Sequence, residues 1–373
     1  MIYFDNAATG GFKPHAVTHT VENCMRYLLA NPGRSGHRLS VSGAKIVYNT
    51  REILGEFFNA TPDRVIFTKN CTEALNFAIF GSIKEGGHVI TTAFEHNSVL
   101  RPLHALKERG IISLDIVYPS FNKSIIEKIK EKIQQNTYLI ITTALSNVTG
   151  EVLPIEQIGR LAKKHQLLYF VDGAQGGGHI GIDVKKCGIS CLALAGHKGL
   201  YGIMGSGVLI LDDQMDLEPI IYGGTGSESF NLNQPLCYPE RLESGTLNLP
   251  AIAGLFEGIR YIKNNLSTFS EHLISSSELL IDGLKSFPHI TCYSNPNPAG
   301  IVSFKFNNLT SSEVADVLNR EYDIAVRGGF HCAPLVHKML DTSDCGLVRA
   351  SLAVQNSTRE IHSLLSALSK IKY

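Results

Sequence analysis

Leu167-Leu168-Tyr169-Phe170-Val171-Asp172 is the stretch that decides the fold. Five apolar residues in a row, closed by a carboxylate, predict a strand buried on both faces, because a half-exposed strand would alternate. The pattern recurs on either side. Upstream, Val65–Thr68, His88–Thr92, Leu114–Tyr118 and Tyr138–Leu145 are strand-like, and Thr72–Phe80, Val99–Lys107, Ile125–Ile133 and Ile155–His165 carry helical spacing between them. Downstream, Cys191–Leu194 and Gly207–Leu211 are further strands. Strands alternating with helices predict an α/β fold, a mostly parallel, doubly wound sheet of the seven-stranded type with helices on both faces. Functional groups then belong at the carboxyl ends of the strands.

Helical patterns at His15–Leu29 and Ser42–Phe58 precede this region, and a loop-rich stretch, Asp212–Leu247, follows it. A long helix, Ala251–Asn264, leads out. Beyond it, helices at His272–Leu284, Ser311–Glu321 and Arg359–Lys370 combine with strands at Ile301–Phe306 and Val348–Leu352 into a small α+β domain. The expected division is 15–255 for the large domain, and 1–14 with 256–373 for the small one.

Composition narrows the function. The 373 residues suit two domains. Lysine plus arginine equals aspartate plus glutamate at 34 each, so bulk charge points to neither nucleic acid nor a membrane surface. No apolar run is long enough to span a bilayer. Met1-Ile2-Tyr3-Phe4-Asp5 does not read as a signal peptide, and the expected location is the cytoplasm. The eight cysteines form no framework and read as reduced thiols; Cys187 and Cys191 lack a second ligand pair for zinc.

The chemistry-bearing residues cluster in short motifs. Lys198 sits in Ala195-Gly196-His197-Lys198-Gly199-Leu200-Tyr201-Gly202, a turn after a buried strand. A lysine amine held in a pocket loses its proton readily and forms Schiff bases. Asp172 closes its apolar strand, where a buried carboxylate needs a cation. A protonated pyridine nitrogen is one such cation, and the pairing makes pyridoxal phosphate an electron sink. Asn70-Cys71-Thr72-Glu73 resembles a capping box at a helix start, which offers free N–H groups to a phosphate. His96, after Glu95, suits stacking on a planar ring or proton movement. Cys332 lies in the glycine-rich loop between Arg327 and Pro334, beside His331, where a mobile thiol near cations is nucleophilic. Arg349 interrupts an apolar strand and suits bidentate capture of a carboxylate. Taken singly, each has a plainer explanation: a solvated lysine, a helix cap, a turn residue, a loop histidine, a packed thiol, an internal ion pair. Gly176-Gly177-Gly178-His179-Ile180-Gly181 fits a dinucleotide fingerprint, but no clear helix or acidic residue follows, so a flexible turn is the better reading.

In combination these motifs resemble the cysteine desulfurases, pyridoxal-phosphate enzymes of the class V aminotransferase fold. The resemblance runs from Tyr3-Phe4-Asp5-Asn6-Ala7-Ala8 to Arg349-Ala350-Ser351-Leu352, and the short loop Arg327-Gly328-Gly329-Phe330-His331-Cys332-Ala333 is similar to that of the SufS-like second group. The resemblance implies that Lys198 carries pyridoxal 5'-phosphate as a Schiff base, that His96 stacks on the ring, that Asp172 pairs with its nitrogen and that Gln175 approaches its phenolic oxygen. Cys71, Thr72 and His197 would hold the phosphate, with Thr246 reaching in from a second subunit of a homodimer. Asn147, Arg349 and Arg327 would hold the substrate carboxylate, and His37 would line the pocket. The implied reaction converts L-cysteine to alanine, leaving a persulfide on Cys332 for a sulfur-acceptor protein or small molecule. The alternatives are a selenocysteine lyase, another β-lyase or aminotransferase of the fold, and a non-catalytic sulfur-relay scaffold. Two positions depart from the family pattern. Ala195 stands where a hydroxyl residue is usual, and Cys71 where threonine is common, so donors to the phosphate are lost unless Ser206 or backbone N–H groups compensate.

Overall fold

The computed structural model describes residues 1–28, 30–120 and 122–371. Leu29, at the end of an expected helix, and residues 372–373, at the end of the expected small domain, lie outside the described residues. The chain opens with strand β1 (Ile2–Tyr3) and helices α1 (His15–Tyr27) and α2 (Arg38–Phe58). The expected alternation follows as β2 (Val65–Thr68), α3 (Cys71–Gly81), β3 (Gly87–Thr92), α4 (Asn97–Glu108), β4 (Ile112–Val117), α5 (Ile125–Glu131), β5 (Thr137–Thr143), α6 (Ile155–Lys164), β6 (Leu168–Asp172), β7 (Cys191–Ala195) and β8 (Gly207–Leu211).

These strands form a seven-stranded sheet in the order β2-β8-β7-β6-β5-β3-β4, in which β8 runs antiparallel to both neighbours and the other pairings are parallel. The unbroken apolar runs have the expected cause. Tyr169 and Val171 of β6 enter one core and Phe170 enters the other, while Ile140 of β5 is divided in the same way from Leu139 and Ile141. Both faces are covered, so neither side of a strand is polar.

The rest of the chain is α7 (Leu249–Lys263), α8 (Leu266–Lys285), β9 (Ile290–Cys292), β10 (Ile301–Phe306), α9 (Ser311–Tyr322), β11 (Ile324–Ala325), β12 (Arg327–Gly329), α10 (Pro334–Met339), β13 (Leu347–Ser351) and α11 (Thr358–Leu368). An antiparallel sheet, β12-β13-β10-β9, carries the third core, and β1 pairs with β11, which seats Phe4 in that core. The N-terminal residues therefore pack with the C-terminal elements. Helix α7 packs on α1 and α2, with Ile259 and Ile262 in the large core, so the expected division at 255 falls inside a continuous helix.

The expected loop between Arg327 and Pro334 acquires structure at both ends. Arg327–Gly329 is a strand paired with β13 rather than free loop, and Pro334 opens a short helix. At α3, Asn70 Oδ1 accepts from Glu73 N at 2.9 Å, but the Glu73 carboxylate accepts from Lys69 N at 2.6 Å instead of closing the capping box on Asn70.

Candidate active site

The carboxyl ends of β2, β3, β5, β6 and β7 meet at one edge of the sheet, and the segments that leave them enclose a cavity of about 100 Å³. Cys71, Thr72, His96, Asn147, Asp172, Gln175, His197 and Lys198 all line it. Lys198 is carried on a tight turn after β7: Tyr201 N donates to Lys198 O at 3.0 Å and Gly202 N to Gly196 O at 2.8 Å, with Tyr201 in the left-handed region at φ 57°. Gly207 explains how α3 reaches the cavity. A Cβ there would collide with the Asn70 backbone, so only glycine lets the helix start rest on β8.

Burial pushes the Lys198 amine below its usual range. Cys71 and Asp172 pull it back up, while Arg349 and Arg327 press it further down. A lysine so placed gives up its proton more easily than one in water. Asp172 is buried at the end of β6, and its Oδ1 accepts from Ala174 N at 2.9 Å and from Cys71 Sγ at 3.5 Å. The Lys198 amine is its cationic neighbour in this cavity, and a cationic ring nitrogen would be a partner of the same kind.

His96 caps α4. Its Nδ1 accepts from Ser98 N at 3.0 Å, which puts the proton of the neutral ring on Nε2. Burial lowers its pKa, so the ring is neutral. Gln175 donates to Ala7 O at 2.9 Å and is buried. His197 is held near pKa 4 by burial and by the Lys198 and Lys13 charges.

Ala195 and Cys71, the two departures from the family pattern, both line the cavity near the start of α3. Cys71 turns its thiol to Asp172, and burial raises that thiol well above its normal range. Ser206 donates to Ile203 O at 2.5 Å, so its hydroxyl proton is already committed and does not compensate. The remaining donors are the first N–H groups of α3, Thr72, whose hydroxyl lies 2.8 Å from Ser98 Oγ, and His197.

The cysteine loop differs from the mobile segment expected. His331 and Cys332 are both left-handed, at φ 48° and 56°. The His331 carbonyl accepts from Asn147 Nδ2 at 2.7 Å and the Cys332 carbonyl from Asn97 N at 2.8 Å. The His331 ring is bonded to Leu347 O at 3.0 Å. Cys332 is exposed, but its backbone is tied to the wall that carries His96 and Asn147. Nothing in the sequence marks this role of Asn97, because a backbone N–H has no residue signature.

Arg349 is fully enclosed, bonded to Asp5 Oδ1 at 2.9 Å and to Asn147 O at 3.0 Å, with Nε left without a partner. Arg327 faces it across the β12–β13 ladder. Two guanidinium groups and the single Asp5 carboxylate leave the pair positive, which favours an anionic ligand. His37 and Thr246 do not reach this cavity within one chain. His37 is exposed and caps α2, accepting from Ser40 N, while Thr246 lines a separate cleft beside Phe67 and Glu73. Among the described residues no cluster of metal-binding side chains occurs, and no helix is long and apolar enough to cross a membrane.

Comparison with known proteins gives this arrangement a class. Residues 2–364 match the aminotransferase class-V family, and the chain belongs to that family. Within it, the chain falls with the cysteine desulfurases. It is 33% identical to a probable cysteine desulfurase of Methanothermobacter thermautotrophicus over 99% of this chain and 94% of the relative. A probable cysteine desulfurase of Pyrococcus abyssi is also 33% identical, over 100% of this chain and 94% of the relative. The apo structure of a cysteine desulfurase from Thermococcus onnurineus NA1 superposes with a TM-score of 0.92 at 32% identity, covering 99% of this chain and 94% of that one. The Escherichia coli cysteine desulfurase CsdA, at 24% identity and a TM-score of 0.89, over 99% of this chain and 94% of that one, shares the fold. The family's cofactor, pyridoxal 5'-phosphate, fits the residues present: a buried carboxylate, an amine pushed towards neutrality, and a helix start open to a phosphate stand around one cavity.

Proposed function

We propose that the protein takes the sulfur atom from L-cysteine and holds it as a persulfide on Cys332. The observation that carries this reading is the pair of hydrogen bonds from Asn147 and Asn97, which ties the Cys332 backbone to the wall of the cavity that Lys198 and Asp172 line. Bound pyridoxal phosphate would supply an electron sink when its ring nitrogen is held protonated by Asp172. Lys198, His197, Thr72 and the α3 start would hold that cofactor, with His96 against its ring and Gln175 beside its phenolic oxygen. Arg349, Arg327 and Asn147 orient the substrate carboxylate. Lys198 removes the substrate Cα proton and returns protons to the carbon skeleton, a role suited to an amine whose pKa burial has lowered.

Cys332 supplies the nucleophile. Its thiolate attacks the substrate sulfur, an S–S bond forms and the C–S bond breaks. The electron pair stays with the three-carbon fragment, which gains a proton and leaves as alanine. Carbon is reduced and sulfur is oxidised to the sulfane level, so no outside oxidant is needed. The persulfide then passes to a sulfur acceptor, a protein or small molecule, at the exposed face of Cys332.

A homodimer belongs to the same reading. Arg34 Nη2 donates to Gly224 O at 3.1 Å and Gly245 O at 3.4 Å, joining the His37 loop to the Thr246 loop on one outer surface. In a twofold pair that surface would complete the partner's cavity. Alanine and sulfide release from L-cysteine, measured for the wild type and Cys332→Ala, tests the central step. The variant is expected to bind cofactor and cysteine but to carry no persulfide. Wild-type rates in the variant would replace desulfuration by simple β-elimination, and turnover of selenocysteine alone would favour a selenocysteine lyase.

A further inference from the structure

The peptide just before Lys198 is gripped by the N-terminal segment. Three donors converge on the His197 carbonyl: Gly10 N at 3.0 Å, Lys13 Nζ at 3.0 Å and Thr9 Oγ1 at 3.3 Å. A carbonyl oxygen has two lone pairs. The two shorter contacts fill them, and the Thr9 hydroxyl is the donor left over. The same hydroxyl lies 3.0 Å from His197 Nδ1, nearer than the carbonyl. Its single proton is therefore free for the ring.

We propose that Lys13 is a positioning residue: by occupying the His197 carbonyl it reserves the Thr9 hydroxyl proton for His197 Nδ1, which fixes the ring's own proton on Nε2, the nitrogen left to the cavity. The ring is neutral, because burial and the Lys198 and Lys13 charges hold its pKa near 4. Only one nitrogen then carries hydrogen, and its identity is set by what the other accepts. Without Lys13 the carbonyl has a vacant lone pair and draws the Thr9 proton to itself. Nδ1–H then donates to Thr9, and Nε2 presents a lone pair, which repels an anion.

The arrangement shows further adaptation around Lys13. Its amine is pushed down to about 8 by burial alone. Gly10 leaves it room, since a Cβ there would stand 3.3 Å from Nζ and 3.6 Å from the His197 oxygen. The Thr9 carbonyl is itself held by Tyr3 Oη at 3.1 Å, which fixes the backbone that carries the hydroxyl.

This inference rests on the reading that His197 faces the cofactor phosphate, and the two are separable by experiment. Histidine ¹⁵N spectra of the apo protein at pH 7 report the tautomer directly, with the His197 signals assigned by their loss in His197→Gln. The wild type is expected as Nε2–H. Lys13→Met, which keeps the stem and removes the donor, and Thr9→Val are each expected to shift His197 towards Nδ1–H, and Lys13→Arg is expected to restore the wild-type signal. Pyridoxal phosphate affinity should fall roughly tenfold in Lys13→Met, the scale of one hydrogen bond to a charged group. Nδ1–H in the wild type, or an unchanged Nε2–H spectrum in both Lys13→Met and Thr9→Val, overturns the proposal. The affinity of His197→Gln decides the phosphate reading by itself: wild-type binding there removes that reading while the spectra still decide the tautomer.

Discussion

Ala195 ends β7 in the cavity wall without a polar atom to offer, and its neighbours do not make up the loss. Cys71 is turned to Asp172, and Ser206 is spent on Ile203 O. Ala195→Ser is therefore expected to tighten pyridoxal phosphate binding by roughly tenfold, the effect of one added hydrogen bond to a charged group, about 1.5–3 kcal/mol. Equilibrium titration of the apo protein by cofactor absorbance checks this, and equal or weaker binding would mean that the phosphate is already saturated. At this scale the sequence was informative where chemistry has a residue signature. Lys198, Asp172 and His96 stand out in the sequence because unusual residue types end buried strands or follow them, while Gln175, which lines the same cavity, is marked only by the family resemblance. The anchoring of Cys332 was not legible. It depends on a backbone N–H of Asn97 and on the side chain of Asn147, which had been assigned to substrate alone.

The strand β12 and the turn that follows it bear on how Cys332 would work as the proposed nucleophile. A glycine-rich stretch suggests mobility, but pairing of Arg327–Gly329 with β13 fixes one end, and Asn147 fixes the His331 carbonyl in the middle. Consecutive left-handed residues such as His331 and Cys332 persist only where the surroundings hold them. Asn147→Ala leaves a buried carbonyl without its donor, a cost of about 1–3 kcal/mol. The expected outcome is a lower thermal midpoint and slower persulfide formation in a single turnover, with the bound-cofactor spectrum unchanged. A wild-type single-turnover rate would show that the turn holds itself. The long elements were legible because three or more helical turns repeat a period, and an unbroken run of about five apolar residues marks a strand covered on both faces. The pairs β1 and β11, and the three-residue strands β9 and β12, are too short to carry one, and their pairing comes from tertiary contact.

Over the whole molecule, two features set how the protein responds to its surroundings. The first is a set of neutral histidines, His331 buried and His179 and His197 half-buried: His179 and His197 are held near pKa 4 and His331 near 2, each chiefly by desolvation, against 6.5 for a free ring. Between pH 6.5 and about 4 the unfolded chain takes up protons that the folded one refuses, so stability falls as pH falls. Glu95 opposes this. Burial raises it to about 8, so the folded state holds its proton through pH 4.5–8 and stability from this group falls as pH rises. Glu243 is raised by burial too, but His88, His96 and His337 are lowered like the other three, so the histidines outnumber the carboxyls below pH 6.5, and urea midpoints of the apo protein should drop between pH 6.5 and 4.5. A flat or rising profile would contradict the neutral burial of these rings. The second feature is a set of exposed apolar side chains close together in sequence. Tyr222, Phe230, Leu232 and Leu236 are 69%, 103%, 101% and 78% exposed, all within the loop-rich stretch that carries Thr246. Large side chains clustered in this way mark an interaction surface, and the same stretch is hydrogen-bonded to the loop that ends in His37. A second copy of this chain seated there would bury these side chains and bring His37 and Thr246 to the neighbouring cavity. Phe230→Asp combined with Leu232→Asp is expected to convert a dimer into a monomer in sedimentation velocity. Pyridoxal phosphate affinity should fall with it, because each cavity loses the partner's Thr246 hydroxyl. Thr246→Ala alone should weaken the cofactor while leaving the dimer intact. A wild-type monomer with full desulfurase activity would show that each chain completes its own site.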